Sequence, residues 1–182
     1  MKKRLTRRIE EMIERTLVVF PELSGKIITV GYTRKHLGSA TVVYRRQVIL
    51  RLIIRLKVRR LTYQTIGHEL THLVQGLCRG DRRSRASLDA RQIPSGEKQC
   101  DIWTLARDPL FCDDPPTYLR LPRIIREHWT DYAERVRQLC ISAIEKRSSL
   151  RRYIRWLEAE IRKLAEIPPP VKRGPEQLRL PL

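Results

Sequence analysis

Apolar residues recur along this chain with two different periods. Ile9, Met12, Ile13 and Leu17 stand at helical spacing and Pro21 closes the segment, which predicts a helix over residues 2–19. Ile27–Thr33 is apolar and β-branched and reads as a strand. Lys35-His36-Leu37-Gly38-Ser39 is its turn, and Thr41–Arg45 is a second strand. From Val48 to Arg59 the period becomes two. Leu50, Leu52, Ile54, Leu56 and Val58 face one way; Arg51, Ile53, Arg55, Lys57 and Arg59 face the other. This is a half-buried strand with a basic outer face. Three short strands before a helix predict an antiparallel meander.

Helical spacing then returns. Thr62 is placed to cap a helix, and Leu61 and Ile66 fit a hydrophobic staple around that cap. Gly76 or Gly80 can end it. Residues 79–96 are polar and turn-rich, so a loop is expected. Ser95 can cap a further helix from Glu97 to Arg107, which Asp108-Pro109 stops. Towards the C-terminus, Ile125, Trp129, Tyr132, Val136, Leu139 and Ala143 form one stripe, and Leu150, Ile154, Leu157, Ile161 and Leu164 form another. They predict an αα-hairpin that packs on the domain or serves as a dimerisation element in a homodimer. The expected class is α+β: a small three-stranded antiparallel sheet on two helices, followed by the hairpin. The expected units are residues 1–120, a helical extension over 121–166, and a Pro-rich tail over 167–182 without fixed structure.

Composition narrows the function. The 182 residues carry a net charge of +18. Residues 1–60 and 121–182 hold the excess, while 61–120 are balanced. Basic flanks of this kind attract polyanions, DNA above all. No apolar run approaches the ~18 residues of a membrane span, and no signal-peptide pattern follows Met1. A cytoplasmic protein without a membrane partner is expected. The four cysteines are far apart, which points to reduced, buried thiols rather than a disulfide framework.

The central helix carries the chemistry. His68-Glu69-Leu70-Thr71-His72 is H-E-x-x-H. On a helix, positions i and i+4 lie one above the other, so both imidazoles reach one metal ion. Glu69 stands beside them as a general base. At about 100° per residue, Ile66, Leu70, Leu73, Val74 and Leu77 share the opposite, apolar face, so the histidines are not core residues. Zinc suits this nitrogen pair and needs a third ligand. Glu97 is the best candidate, because Asp101 follows one turn later on the same helix face. There Asp101 can accept the free N–H of a ligating histidine. Asp81, Asp89 and Cys100 are weaker candidates.

These residues resemble the gluzincin pattern of zinc metallopeptidases, H-E-x-x-H followed by a glutamate helix of the form N-E-x-x-S-D. Gly67–Gly76 (GHELTHLVQG) and Gly96–Asp101 (GEKQCD) carry the likeness, with Gly96 in place of Asn and Cys100 in place of Ser. The order of elements over residues 1–120 is similar to the minigluzincins and more loosely to ImmA/IrrE-type and SprT-type peptidases. The SprT type uses a third histidine, and neither His36 nor His128 is placed for that. The resemblance implies hydrolysis of a peptide or protein substrate at one zinc ion, with Glu69 activating the zinc-bound water. It implies a Tyr or His at the oxyanion, for which Tyr118 and His128 are candidates. It also implies latency, with Phe111–Leu121 placed to cover the cleft.

The chain ends Gln177-Leu178-Arg179-Leu180-Pro181-Leu182, which resembles the bacterial sliding-clamp-binding peptide. A polar anchor followed by apolar side chains on a free tail suits binding in a groove. Gln177, Leu178, Leu180, Pro181 and Leu182 would make that contact. A peptidase recruited to DNA is therefore one expectation. A non-catalytic DNA- or clamp-binding module with a structural or vestigial metal site is the alternative.

Overall fold

The computed structural model describes residues 5–46, 48–80 and 93–167. Six helices and three strands follow in the order α1 (Arg7–Val18), β1 (Ile28–Tyr32), β2 (Gly38–Arg45), β3 (Val48–Leu56), α2 (Tyr63–Gly80), α3 (Glu97–Arg107), α4 (Arg123–Glu127), α5 (Trp129–Lys146) and α6 (Tyr153–Glu166). This is an α+β fold, as the periodicities predict.

The sheet is mixed rather than an antiparallel meander. Its order is β1-β3-β2, with β1 parallel and β2 antiparallel to β3. A two-residue connection between Arg45 and Val48 closes the β2–β3 hairpin, and Arg46 takes a left-handed φ of 48° to do so. The link from β1 to β2, residues 33–37, instead crosses the end of β3. Thr33 N–H donates to Leu56 O (3.1 Å), and Lys57 N–H donates to Leu37 O (2.9 Å). The most deeply buried strand thus has both edges paired. Leu52, Ile54 and Leu56 are buried as expected, but Leu50 and Val58 are exposed. Leu50 lies beyond the end of the five-residue β1, and Val58 falls in the turn after β3.

One sheet face packs on α2, whose Ile66, Leu70, Leu73 and Val74 are buried as the helical stripe requires. α3 crosses the other side of α2, and Gly67 permits the approach. A Cβ there would meet Phe111 at 2.6 Å and Thr104 at 2.7 Å. The helical hairpin packs within the same chain. α5 lies on α3, and α6 reaches it through Lys98–Glu158 (2.5 Å) and the Trp103–Tyr153 ring contact. The predicted first stripe of the hairpin breaks at His128, which leaves helical geometry and separates α4 from α5. A single buried cluster runs from Ile9 to Leu164. Among the described residues, no helix is long and apolar enough to cross a membrane.

Two long-range polar contacts fix the helices that matter. Thr62 caps α2 as expected, its Oγ1 accepting from Thr65 N–H (3.2 Å). Asp113, about fifty residues on, caps the same turn by accepting from Tyr63 N–H (2.6 Å) and Gln64 N–H (2.9 Å). Arg107, in the last turn of α3, holds the end of α1. It donates to Val19 O and to both Glu22 oxygens, and its guanidinium lies 4.2 Å from the Phe20 ring centre.

Asp113→Ala should lower stability by about 1–2 kcal/mol, read as a fall in thermal midpoint, because two N-terminal donors of α2 lose their acceptor. Arg107→Ala should cost about 1–2 kcal/mol at neutral pH, a figure kept small because Glu22 is partly exposed. Burial raises the Glu22 carboxyl, but the Arg107 bonds and charge outweigh it and hold it below the usual 4.5. The ion pair therefore stabilises above that value and is lost as pH falls through the lowered pKa. The gap between wild type and Arg107→Ala should narrow in acid unfolding curves taken below about pH 4.5.

Candidate metal centre

His68 and His72 project from α2 on the side away from its apolar stripe, and α3 brings Glu97 and Asp101 to meet them. Gly96 makes the turn into α3 with φ 123°, a conformation that a side chain would strain. Glu97 Oε2 then lies 3.0 Å from His68 Nε2 and 3.0 Å from His72 Nε2. Two imidazole nitrogens converge on one carboxylate oxygen.

The other ring nitrogens are occupied. His68 Nδ1 is 2.8 Å from Asp101 Oδ1. Asp101 is fully buried and accepts further bonds from Gln64 Nε2 (3.3 Å), Tyr118 N–H (2.6 Å) and Leu119 N–H (2.8 Å). A carboxylate so placed accepts a hydrogen bond from Nδ1–H and leaves Nε2 facing Glu97. His72 Nδ1 is 3.0 Å from Gln75 Oε1. The Gln75 amide nitrogen donates to Pro94 O (2.5 Å), so its oxygen is the atom that faces the ring. His72 Nδ1 is therefore a donor too, and its Nε2 is the nitrogen that faces Glu97.

Cys100 comes within reach as well. Its Sγ is 3.2 Å from His72 Nδ1, and ligand atoms of His68, His72 and Cys100 all lie within 4.8 Å of one another, so this group could hold a metal ion. The thiol is fully buried, and burial, with Glu97, Asp101 and Glu69 close by, pushes its pKa far above the usual thiol range.

Glu69 is buried beside the histidines. Burial raises its carboxyl to about 7, His68 opposing and Glu97 adding to the effect. Gly38 of β2 presses against it. A Cβ at that position would stand 2.4 Å from Glu69 Oε1. Burial lowers the pKa of His68, but Asp101 and the neighbouring carboxylates more than offset this and raise it. Burial likewise raises Glu97, and the two histidines outweigh it and lower the carboxyl.

An open cleft of ≈ 610 Å³ runs past this cluster. β2 forms one wall from Gly38 to Tyr44; Glu69, His72, Gly76 and Glu97 lie on the other side. Glu97 is 49% exposed at its side chain, so the centre faces solvent there. Tyr118, a sequence candidate, stacks on the His68 ring (centroids 5.5 Å, 24°) and lines the cleft. The segment around it walls the cleft, with Phe111 buried below Gly67 and Leu119 buried behind Tyr118. His128, the other oxyanion candidate, is exposed at the α4–α5 break and does not line this cleft. His36, set aside as a ligand, does line it. Asp81, Asp89 and the terminal Gln177–Leu182 lie outside the described residues.

No protein-family model, no curated protein and no solved structure matches the chain.

Asp101→Asn should weaken metal binding by about 10–100-fold in a competition titration with a chelating dye, because His68 loses the acceptor that orients it. Unchanged affinity would mean that the Asp101 contact serves folding alone.

Proposed function

We propose that the chain is a zinc-dependent peptidase in which His68, His72 and Glu97 hold the metal and Glu69 is the general base. The observation that carries this reading is the convergence of two Nε2 atoms on Glu97 Oε2, with both Nδ1 atoms already bonded elsewhere. In a tetrahedral zinc site with bonds of about 2.0–2.1 Å, ligand atoms stand about 3.3 Å apart. The two 3.0 Å separations are close to that edge. Cys100 fits less well. It approaches His72 from the Nδ1 side, which Gln75 also occupies, and not from the Nε2 side where His68 and Glu97 meet. Three ligands and a solvent-facing side suit catalysis, since structural zinc is normally closed by four.

Zinc held there supplies Lewis-acid chemistry, polarising a carbonyl and making water acidic. The residues do the rest. Glu69 is placed beside His68 and His72 to take the proton of the attacking water and to deliver it to the leaving amine. Its burial favours that return. Tyr118 offers a phenol from the opposite wall. Burial first, then Glu97 and Glu69, raise its pKa, so it remains a donor for the oxyanion. The outer edge of β2 is unpaired among the described residues and borders the cleft, so an extended peptide can add to it as a further strand.

A separate feature favours a second reading. No Asp or Glu occurs between Glu22 and Glu69, a stretch that includes the entire sheet. Arg51 and Arg55 are exposed on its outer face. On this reading the chain binds DNA, with the terminal Gln177–Leu182 engaging a sliding clamp, and the metal site is structural or vestigial. Its affinity for DNA should fall steeply with salt and be indifferent to Glu69.

The two readings separate in one series. Wild type and Glu69→Gln should each bind one zinc, and Glu97→Ala should lose it by elemental analysis. Cleavage of unstructured peptides should fall by about 10²–10⁴-fold in Glu69→Gln. Zinc-loaded wild type that cleaves nothing, yet binds DNA as well as Glu69→Gln does, would favour the second reading.

A further inference from the structure

The cleft continues beyond Glu69. A narrow passage of ≈ 230 Å³, floored by His68 and Glu69, runs between His36–Gly38 on one side and Thr117–Tyr118 on the other. Leu37 and Thr117 also border a larger cavity of ≈ 780 Å³. Four arginines line that cavity: Arg8 from α1, Arg59 and Arg60 from the turn after β3, and Arg126 from α4. Among the described residues, Asp114 is the one acidic group in its walls. Its neighbour Asp113 is committed to the N-terminus of α2. The basin is therefore strongly cationic, and its floor includes the aliphatic side chains of Ile9, Met12 and Leu61.

Three features say what fits there. The basin borders the passage at Leu37 and Thr117, and the passage borders the metal centre at Glu69 and Tyr118, so the basin lies next along the path from the metal centre. The passage is narrow and bounded by two chain segments, which suits a single extended polypeptide. Among the described residues, no aromatic side chain lines the basin to stack a base, as single-stranded nucleic acid would require. A carboxylate-bearing chain with some aliphatic surface matches both the guanidinium groups and the floor.

We propose that this basin is a specificity site for acidic peptides, in which residues beyond the bond at the metal centre set their carboxylates against Arg8, Arg59, Arg60 and Arg126. The inference rests on the peptidase reading of the metal centre and adds the substrate class. Arg59 and Arg60 are exposed, so they can be replaced without disturbing the core.

The test uses the full chain as Glu69→Gln, loaded with zinc, and reads binding by fluorescence anisotropy. Three labelled peptides share a neutral core: one has four glutamates at its N-terminal end, one has them at its C-terminal end, and one has glutamines at both. One acid-ended peptide should bind about tenfold tighter than the glutamine peptide at low salt, and the R59A/R60A variant should reduce that preference to within about threefold. Equal affinity of all three peptides would overturn the basin proposal and leave the peptidase reading intact. A preference that survives R59A/R60A would also overturn it. So would an oligothymidylate that displaces the acidic peptide and loses affinity in the same variant, since the basin would then belong to nucleic acid. Failure of every peptide to bind zinc-loaded protein would remove the peptidase reading and the proposal together.

Discussion

A fully buried carboxylate must find partners for its charge, and Asp101 finds four. It receives His68 from α2, Gln64 one turn earlier on the same helix, and two backbone N–H groups of the segment that carries Tyr118. Without them the charge would cost several kcal/mol, on the order expected for an unpaired buried ion. This one group therefore ties α2, α3 and the far wall of the cleft into a fixed relation. It also sets which nitrogen of His68 is free. The geometry of the candidate metal centre follows from a requirement of burial.

The remaining constraints are close approaches. Gly67 brings α2 against Thr104 and Phe111, Gly38 brings β2 against Glu69, and Gly76 brings the far end of α2 against Val42. The edge strand β2 and helices α2 and α3 thus meet with little room between them. Glu69 is buried by this packing while still lining the cleft, and burial raises its carboxyl to about 7. Glu97, on the open side, is held low by the histidines it faces. Two carboxylates beside the same pair of imidazole rings are given opposite tendencies by their surroundings.

Much of this was legible in the sequence where the determinants are local. The 3.6-residue period of Ile66, Leu70, Leu73 and Val74 places His68 and His72 off the core, and the bounds of α3 follow from Glu97 and Asp108-Pro109. What escaped depends on distant pairs. β1 joins the free edge of β3 because the β2–β3 connection is tight, a choice that strand periodicity cannot express. Asp113 stands in the irregular stretch Asp113-Asp114-Pro115-Pro116, and its capping of α2 rests on partners about fifty residues away. The Gln75–Pro94 bond that orients His72 joins residues 19 apart in the chain. His36 read as a turn residue, and its place in the cleft comes only from the path of β1 into β2.

The proposed metal centre is formed by His68, His72 and Glu97, open on one side, and not by His68, His72 and Cys100. Zinc K-edge absorption spectroscopy of the zinc-loaded protein separates the two ligand sets directly. With Glu97 as the third ligand the zinc should show nitrogen and oxygen scatterers alone, at about 2.0–2.2 Å. A sulfur scatterer at about 2.3 Å would place Cys100 on the metal and contradict that ligand set.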